Sequence, residues 1–364
     1  MDEGVLRGLS AVALGLLAGF VLFVPLVAIS YRRRGGLTFG RFLLWTALLV
    51  YFMALWTYTL LPLPDPASLV CAATNTDLLA FADEVGVALD RSGGDLRDPA
   101  IRQLLLNVLL FVPLGVFVRV LGGRGVVVAL FVGFGVSGLI ELTQLTGVWG
   151  LYPCAYRVFD VDDLMTNTLG AVLGSLLSLL VPRRHRGMAR RADADLPRPV
   201  TRARRLLAML CDVVGAALVS LFAGVLFQSA LLMLGAVAEM RDGGAAGVVA
   251  GVTPIAVWLI VVLVTGRTVG DLAVQLRFEG GELPVALARF LRFAGGIGAY
   301  LVLFALPGAW DFVGWLFALV SVIFVFVTPD GRGLPGLLSQ QRLVDAREPL
   351  DPDDPPPHVE VRWR

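Results

Sequence analysis

Runs of about 18 or more apolar residues recur along this chain, each long enough to cross roughly 30 Å of hydrocarbon as a helix. In lipid every backbone N–H and C=O must find a partner within the protein, and for runs of this length that means helices. The expected fold class is therefore all-α, a polytopic helical membrane protein. Composition agrees: 57% of the residues are hydrophobic and 16% are charged, whereas a soluble domain carries about 25% charge. About nine spans are expected, near 5–29, 42–62, 104–121, 125–147, 163–181, 206–235, 248–265, 295–307 and 312–328. The eighth is short and ends at Pro307-Gly308. Spans eight and nine therefore read either as a tight hairpin or as one kinked, partly interfacial element.

All 30 basic residues are Arg. The first span opens with Met1-Asp2-Glu3 and is followed by Tyr31-Arg32-Arg33-Arg34, the pattern of an uncleaved anchor with its Arg side cytoplasmic. Alternating the spans from an outside N-terminus leaves six Arg outside (7, 91, 97, 102, 157 and 241) and 24 inside. That fourfold bias sets the expected orientation, N-terminus outside and C-terminus cytoplasmic. A charged, Pro-containing stretch then divides the chain. The expected organisation is a five-span module at 1–182, a cytoplasmic linker at 183–203, a module of about four spans at 204–345 and a disordered tail at 346–364.

Against this apolar background stands Tyr156 to Gly174, which brings Arg157, Asp160, Asp162, Asp163 and Asn167 to the mouth of the fifth span. Ionisable groups entering a membrane are expensive and mark a site by default. Asn107, Glu141 and Asn167 each lie about six residues below the outer end of their spans, a common depth of roughly 9 Å. Ser137, Glu141 and Gln144 share one helical face through their i, i+4, i+7 spacing, and Asp160, Asp163 and Asn167 share another that continues through Gly170 and Gly174. Small residues at that spacing let a neighbouring helix come close. Arg157 is the nearest outside cation in sequence and the expected partner of the carboxylates. The bland readings are that the amides and Glu141 only bond helices together, and that one or two of the Asp cap a helix N-terminus. The only histidines are His185 and His358, in polar segments. A Ser–His–Asp triad, a His-rich metal site and a Lys Schiff base are thereby excluded from the membrane part.

These residues resemble the VanZ-like family over about 1–182. The resemblance rests on three elements in order: Asn107, Phe111, Pro113 and Gly115; then Ser137, Glu141 and Gln144; then Arg157, Asp160, Asp163, Asn167 and Gly170. It implies a bacterial integral envelope protein, in a family whose named member is associated with low-level resistance to the glycopeptide antibiotic teicoplanin. The second module resembles the RDD family over about 200–345. Arg205, Ala208 and Asp212 match its opening, Gly266 and Gly270 its turn, and Arg289 with Arg292 its Arg pair. A basic residue is more usual where Asp271 stands, and an Asp where Gly336 sits. Some RDD proteins are linked to ion exchange. Pairing Asp212 with Arg267 or Arg292 is the expected structural arrangement there.

Cys71 and Cys154 both fall outside, where disulfides persist. A bridge between them and two separate thiols remain equal alternatives. Apolar residues at 78, 81, 82, 85 and 89 predict an interfacial helix within 75–90.

The leading functional reading is an outer-leaflet site in the plasma membrane that binds or processes a phosphate- or glycan-bearing lipid or cell-wall precursor. In it Arg157 binds the anion. Glu141, Asp160 and Asp163 act as general acid or base, or hold a divalent cation, for which an all-oxygen set suits Mg²⁺ or Ca²⁺. Asn107, Gln144 and Asn167 orient them. No cofactor is required by the sequence and no nucleic-acid partner is expected. The alternatives are a transporter in which Glu141 and Asp212 carry ions or protons, and a scaffold whose polar residues only pack helices.

Overall fold

The structure is a computed structural model that describes residues 3–61, 63–65, 69–77, 86–87, 90, 98–187, 190–306, 308 and 310–349. The side chains of residues 3–11, 100, 184, 237, 240 and 241 lie outside that description. So do most of the interfacial helix expected at 75–90 and the tail beyond 349.

The protein is a polytopic helical membrane protein. Among the described residues, eight helices are long and apolar enough to span a bilayer, or nine if one bent pair counts as a span. The chain divides into two compact units: Met1–Gly19 with Thr38–Ala189, and Phe20–Leu37 with Arg190–Arg364.

In the first unit α2 (Phe39–Leu60), α3 (Pro99–Val120), α4 (Val126–Leu145) and α5 (Val161–Leu177) follow the N-terminal part of α1 (Glu3–Arg34). Leu55, Phe111 and Ile140 form a buried cluster from α2, α3 and α4. Helix α5 packs backbone to backbone on α3. A Cβ at Gly170 would fall on the Val108 carbonyl, one at Gly174 on that of Val112, and one at Gly115 on that of Ala171. The small-residue face read from Gly170 and Gly174 thus has α3 as its neighbour, and van der Waals contact at that distance replaces the hydrophobic drive that lipid cannot supply.

The second unit contains α6 (Arg202–Met233), α7 (Gly244–Thr265), α8 (Val269–Val274), α9 (Val285–Ala294), α10 (Ile297–Ala305) and α11 (Trp310–Val327). A two-stranded antiparallel ladder pairs β3 (Leu276–Glu279) with β4 (Arg342–Asp345), a small departure from the expected all-α class. Here the organisation differs from the sequence reading in three places. Val27 and Tyr31 of α1, one turn apart, join Ala208, Cys211, Val274, Leu276 and Leu343 in one core, so the C-terminal half of α1 belongs to this unit. Within the expected linker, the stretch from 190 is bonded to this unit: Arg198 N–H donates to Asp345 at 3.0 Å, and Arg347 donates to the Ala194 carbonyl at 2.8 Å. Arg347 is consequently part of the fold and not of the tail. Finally, a separate helix directly precedes the eighth expected span. Helices α9 and α10 meet at 48° across Gly295-Gly296, so Arg289 and Arg292 lie on a helix rather than in a loop before a span.

Candidate functional site

Several buried polar side chains of the first unit gather where α2 ends and α5 begins. Helix α2 finishes with three carbonyls that have no helical partner, a liability in an apolar setting. Three side chains serve them. Gln144 Nε2 donates to Thr59 O at 2.7 Å, Tyr156 Oη to Leu60 O at 3.2 Å, and Arg157 Nη2 to Leu61 O at 3.4 Å. Arg157 also complements the negative end of the helix dipole. Burial raises the Tyr156 phenol above its ordinary value. The expected pairing of Arg157 with the carboxylates is therefore not what the structure forms. Separation along the chain had suggested the pair, but unsatisfied carbonyls compete for the same guanidinium.

The acidic residues open α5. Asp160 is its N-cap, with Oδ1 accepting from Asp162 N–H at 2.9 Å. Glu141, 3% exposed, accepts the Asp160 backbone N–H at 3.1 Å. Asn107 Nδ2 donates to Asp163 Oδ1 at 2.5 Å, joining α3 to α5. Asn167 Nδ2 donates to Ser137 Oγ at 2.9 Å, joining α5 to α4, while the buried Asn167 Oδ1 has no partner. Each of the seven residues singled out by sequence thus makes a hydrogen bond in this region, through several separate bonds. Among the described residues none of the Glu141, Asp160 and Asp163 carboxylates has an ion pair. The same residues contain no group of three His, Cys, Asp or Glu side chains arranged to hold a metal ion. The three carboxylates are turned instead to a backbone N–H, a helix cap and an amide.

The loop segment around Cys71 completes this rim, through the bridge that was one of the two alternatives for Cys71 and Cys154. Cys71 and Cys154 form a disulfide, with Cα atoms 5.6 Å apart. Next to it Ala72 N–H donates to Ala155 O at 2.8 Å, and β1 (Thr74–Asn75) pairs in parallel with β2 (Phe159–Asp160). Asn75 Nδ2 reaches Asp160 Oδ1 at 3.2 Å. Nothing in the local pattern around Asn75 marks it. Only the bridge 83 residues apart in sequence places it there.

Residues 48–182 match a protein-family model described as VanZ/LLP1. This VanZ-like segment begins inside α2 and ends just past α5, so it contains every residue of the acidic network and leaves out α1, which the sequence resemblance had included. No curated protein and no solved structure matches the chain.

In the second unit, Asp212 takes partners other than those expected, and Arg205 pairs with an acid. Arg205 Nη1 donates to Asp271 Oδ1 at 2.7 Å. Asp212 pairs with neither Arg267 nor Arg292. Its carboxylate accepts from Trp258 Nε1 at 2.8 Å, Gly270 N–H at 2.7 Å and Thr268 Oγ1 at 2.7 Å. Asp271 also closes a capping box with Thr268 at the start of α8. The acidic residue that looked out of place in the turn is thus the partner of Arg205.

Proposed function

We propose that the VanZ-like segment binds the headgroup of a lipid-linked or cell-wall precursor at the outer face of the plasma membrane. The orientation follows from the Arg bias, with the N-terminus outside. The observation that carries this reading is the set Glu141, Asp160 and Asp163, grouped where α5 begins and without an ion pair among the described residues. Helix packing needs hydrogen bonds there, and the cap explains Asp160, but neither needs the Glu141 and Asp163 carboxylates beside it. A surplus of acceptors, with the unpartnered Asn167 Oδ1 beside them, suits a ligand rich in donors: the hydroxyls of a glycan or an amine. Arg157, held by one long hydrogen bond to Leu61 O, is placed to meet a phosphate on the same molecule. Glu141 and Asp163 contact the ligand, Asn107 and Asn167 orient them, and Asp160 caps α5 as a structural residue.

We further propose that residues 204–345 form an RDD-like module. Supporting this, Arg205, Ala208, Asp212, Gly266 and Gly270 lie around one turn, where a Cβ at Gly270 would strike the Ala208 carbonyl.

The test is native mass spectrometry of the full chain released from detergent, as wild type and as Glu141→Gln and Asp163→Asn. Both substitutions preserve an acceptor oxygen and remove the charge. The expected result is a co-purifying lipid or precursor adduct that the two variants lose while folding normally. An adduct unchanged in both, together with unchanged glycopeptide susceptibility of cells expressing them, rejects the reading.

A further inference from the structure

The second unit contains a partly open cavity of about 300 Å³, at the lower end of the range typical of ligand pockets, roughly 300–1,000 Å³. Arg205 and Arg292 line it and are 5% and 7% exposed. Both guanidiniums lie against one aromatic ring, that of Phe278, with Cζ atoms 5.4 and 5.1 Å from its centroid. Two buried cations side by side repel each other, and an aromatic ring compensates only weakly.

The charges around the cavity do not balance. Arg205, Arg267 and Arg292 face Asp212 and Asp271. Asp271 is taken by Arg205 and by the Thr268 N–H, and Asp212 by Trp258, Thr268 and Gly270. Arg267 is bonded to the Leu276 and Asp271 carbonyls. Arg292 is left with no ion pair among the described residues, and the Nε atoms of both Arg205 and Arg292 lack a hydrogen-bond partner. From α11 the Ser321 hydroxyl, which also lines the cavity, is buried without a partner. Such orphaned donors are rare in native interiors because each forfeits its hydration. Apart from Thr268 and Tyr300 the remaining wall is apolar, with Met209 and Phe317 among it.

The geometry points to a binding site for an oxyanion carried on an apolar body, a phosphate or carboxylate group that Arg292 engages in a bidentate pair. Ser321 supplies a further donor and the apolar wall receives the adjoining hydrocarbon. An anion there balances the surplus positive charge, and a planar guanidinium matches its geometry where an ammonium does not. This site is separate from the acidic network of the VanZ-like segment and takes a ligand group of the opposite sign.

The experiment uses the full chain in detergent. Native mass spectrometry reads binding of dioleoyl phosphatidic acid and of dioleoylglycerol, which lacks the oxyanion. Thermal shift reads binding of inorganic phosphate. Wild type is expected to retain phosphatidic acid and not dioleoylglycerol. Arg292→Gln should bind it about 10- to 100-fold more weakly, the loss expected for a charge-assisted pair. Arg292→Lys should recover only part of that. If phosphate alone shifts wild type but not Arg292→Gln, and phosphatidic acid does not bind, the oxyanion comes from a soluble molecule. Equal binding of dioleoylglycerol, or no binding of either anion, overturns the proposal. So does undiminished affinity in a folded Arg292→Gln. Should Arg292→Gln fail to fold, Ser321→Leu decides, since it fills the cavity without touching an ion pair. Lost binding supports the site and unchanged binding overturns it.

Discussion

Glu141 and Asp160 in the first unit are satisfied by backbone N–H groups, and Asp163 by an amide. Asp271 and Asp345 in the second are satisfied by guanidiniums. Asp345 is fully buried and accepts from Arg204 Nη1 at 2.7 Å and Arg347 Nη2 at 2.6 Å, with the Arg198 and Arg347 N–H groups adding to it. Both arrangements solve the problem of placing a carboxylate in an apolar fold, but they leave opposite residues. Backbone dipoles neutralise no net charge, so the VanZ-like segment keeps a negative surplus. Ion pairs consume carboxylates, so the second unit keeps a positive one around Arg292. The sign of what remains indicates the sign of what each unit can bind.

Asp345→Ala should be the most damaging change, because it strands the buried Arg204. Breaking a buried pair from one side costs about 3–5 kcal/mol, to be read as a lowered melting temperature of the full chain. A result near zero would mean that the ion pairs are not what holds the second unit. The same residue gives a pH dependence. Burial alone would raise the Asp345 carboxyl, but the Arg347 and Arg204 guanidiniums outweigh it and hold it well below the usual carboxylate range. A depressed value means that its stabilisation is complete above about pH 4, the unfolded carboxylate value, and fades as pH falls through the folded value. Wild type should therefore lose melting temperature on acidification below about pH 4, and Asp345→Asn should show a flatter profile over that window.

Next in size, Cys71→Ser removes the only covalent tie of the described rim segment. The expected loss is about 2–4 kcal/mol, accompanied by faster hydrogen exchange at Thr74 and Asn75. Asn167→Ala breaks the bond to Ser137 and should cost about 1 kcal/mol, visible as a small melting shift. Smallest of all, Asp160→Asn should change stability by less than about 0.5 kcal/mol, since Asn caps a helix as well as Asp does. That near-silence beside the Asp345 effect is the sharpest form of the comparison. If Asp160→Asn is as damaging as Asp345→Ala, the first unit depends on its charge and the contrast fails.

The acidic network was legible because each member breaks an apolar helical pattern, and because the i, i+4, i+7 spacing of Ser137, Glu141 and Gln144 is fixed by helix geometry. The face at Gly170 and Gly174 was legible for the same reason. Partners were not. Arg157 was matched with acids near it in sequence and instead serves the end of α2. Asp212 was matched with Arg267 or Arg292 and instead takes Trp258, Thr268 and Gly270. Asp345 carried no signal, being a polar residue in a polar segment.

The sequence by itself determined that this is a helical membrane protein and where most of its long apolar helices run, because a transfer energy summed over about 20 residues is insensitive to tertiary detail. It also marked which polar residues were too costly to be incidental. The tertiary structure alone decided whom each one bonds, because a hydrogen bond depends on a few tenths of an ångström between residues far apart in the chain. It joined Cys71 to Cys154 and carried the end of α1 into the second unit. It also left Arg292 buried beside a cavity with no ion pair among the described residues, an outcome that spans and spacing do not supply.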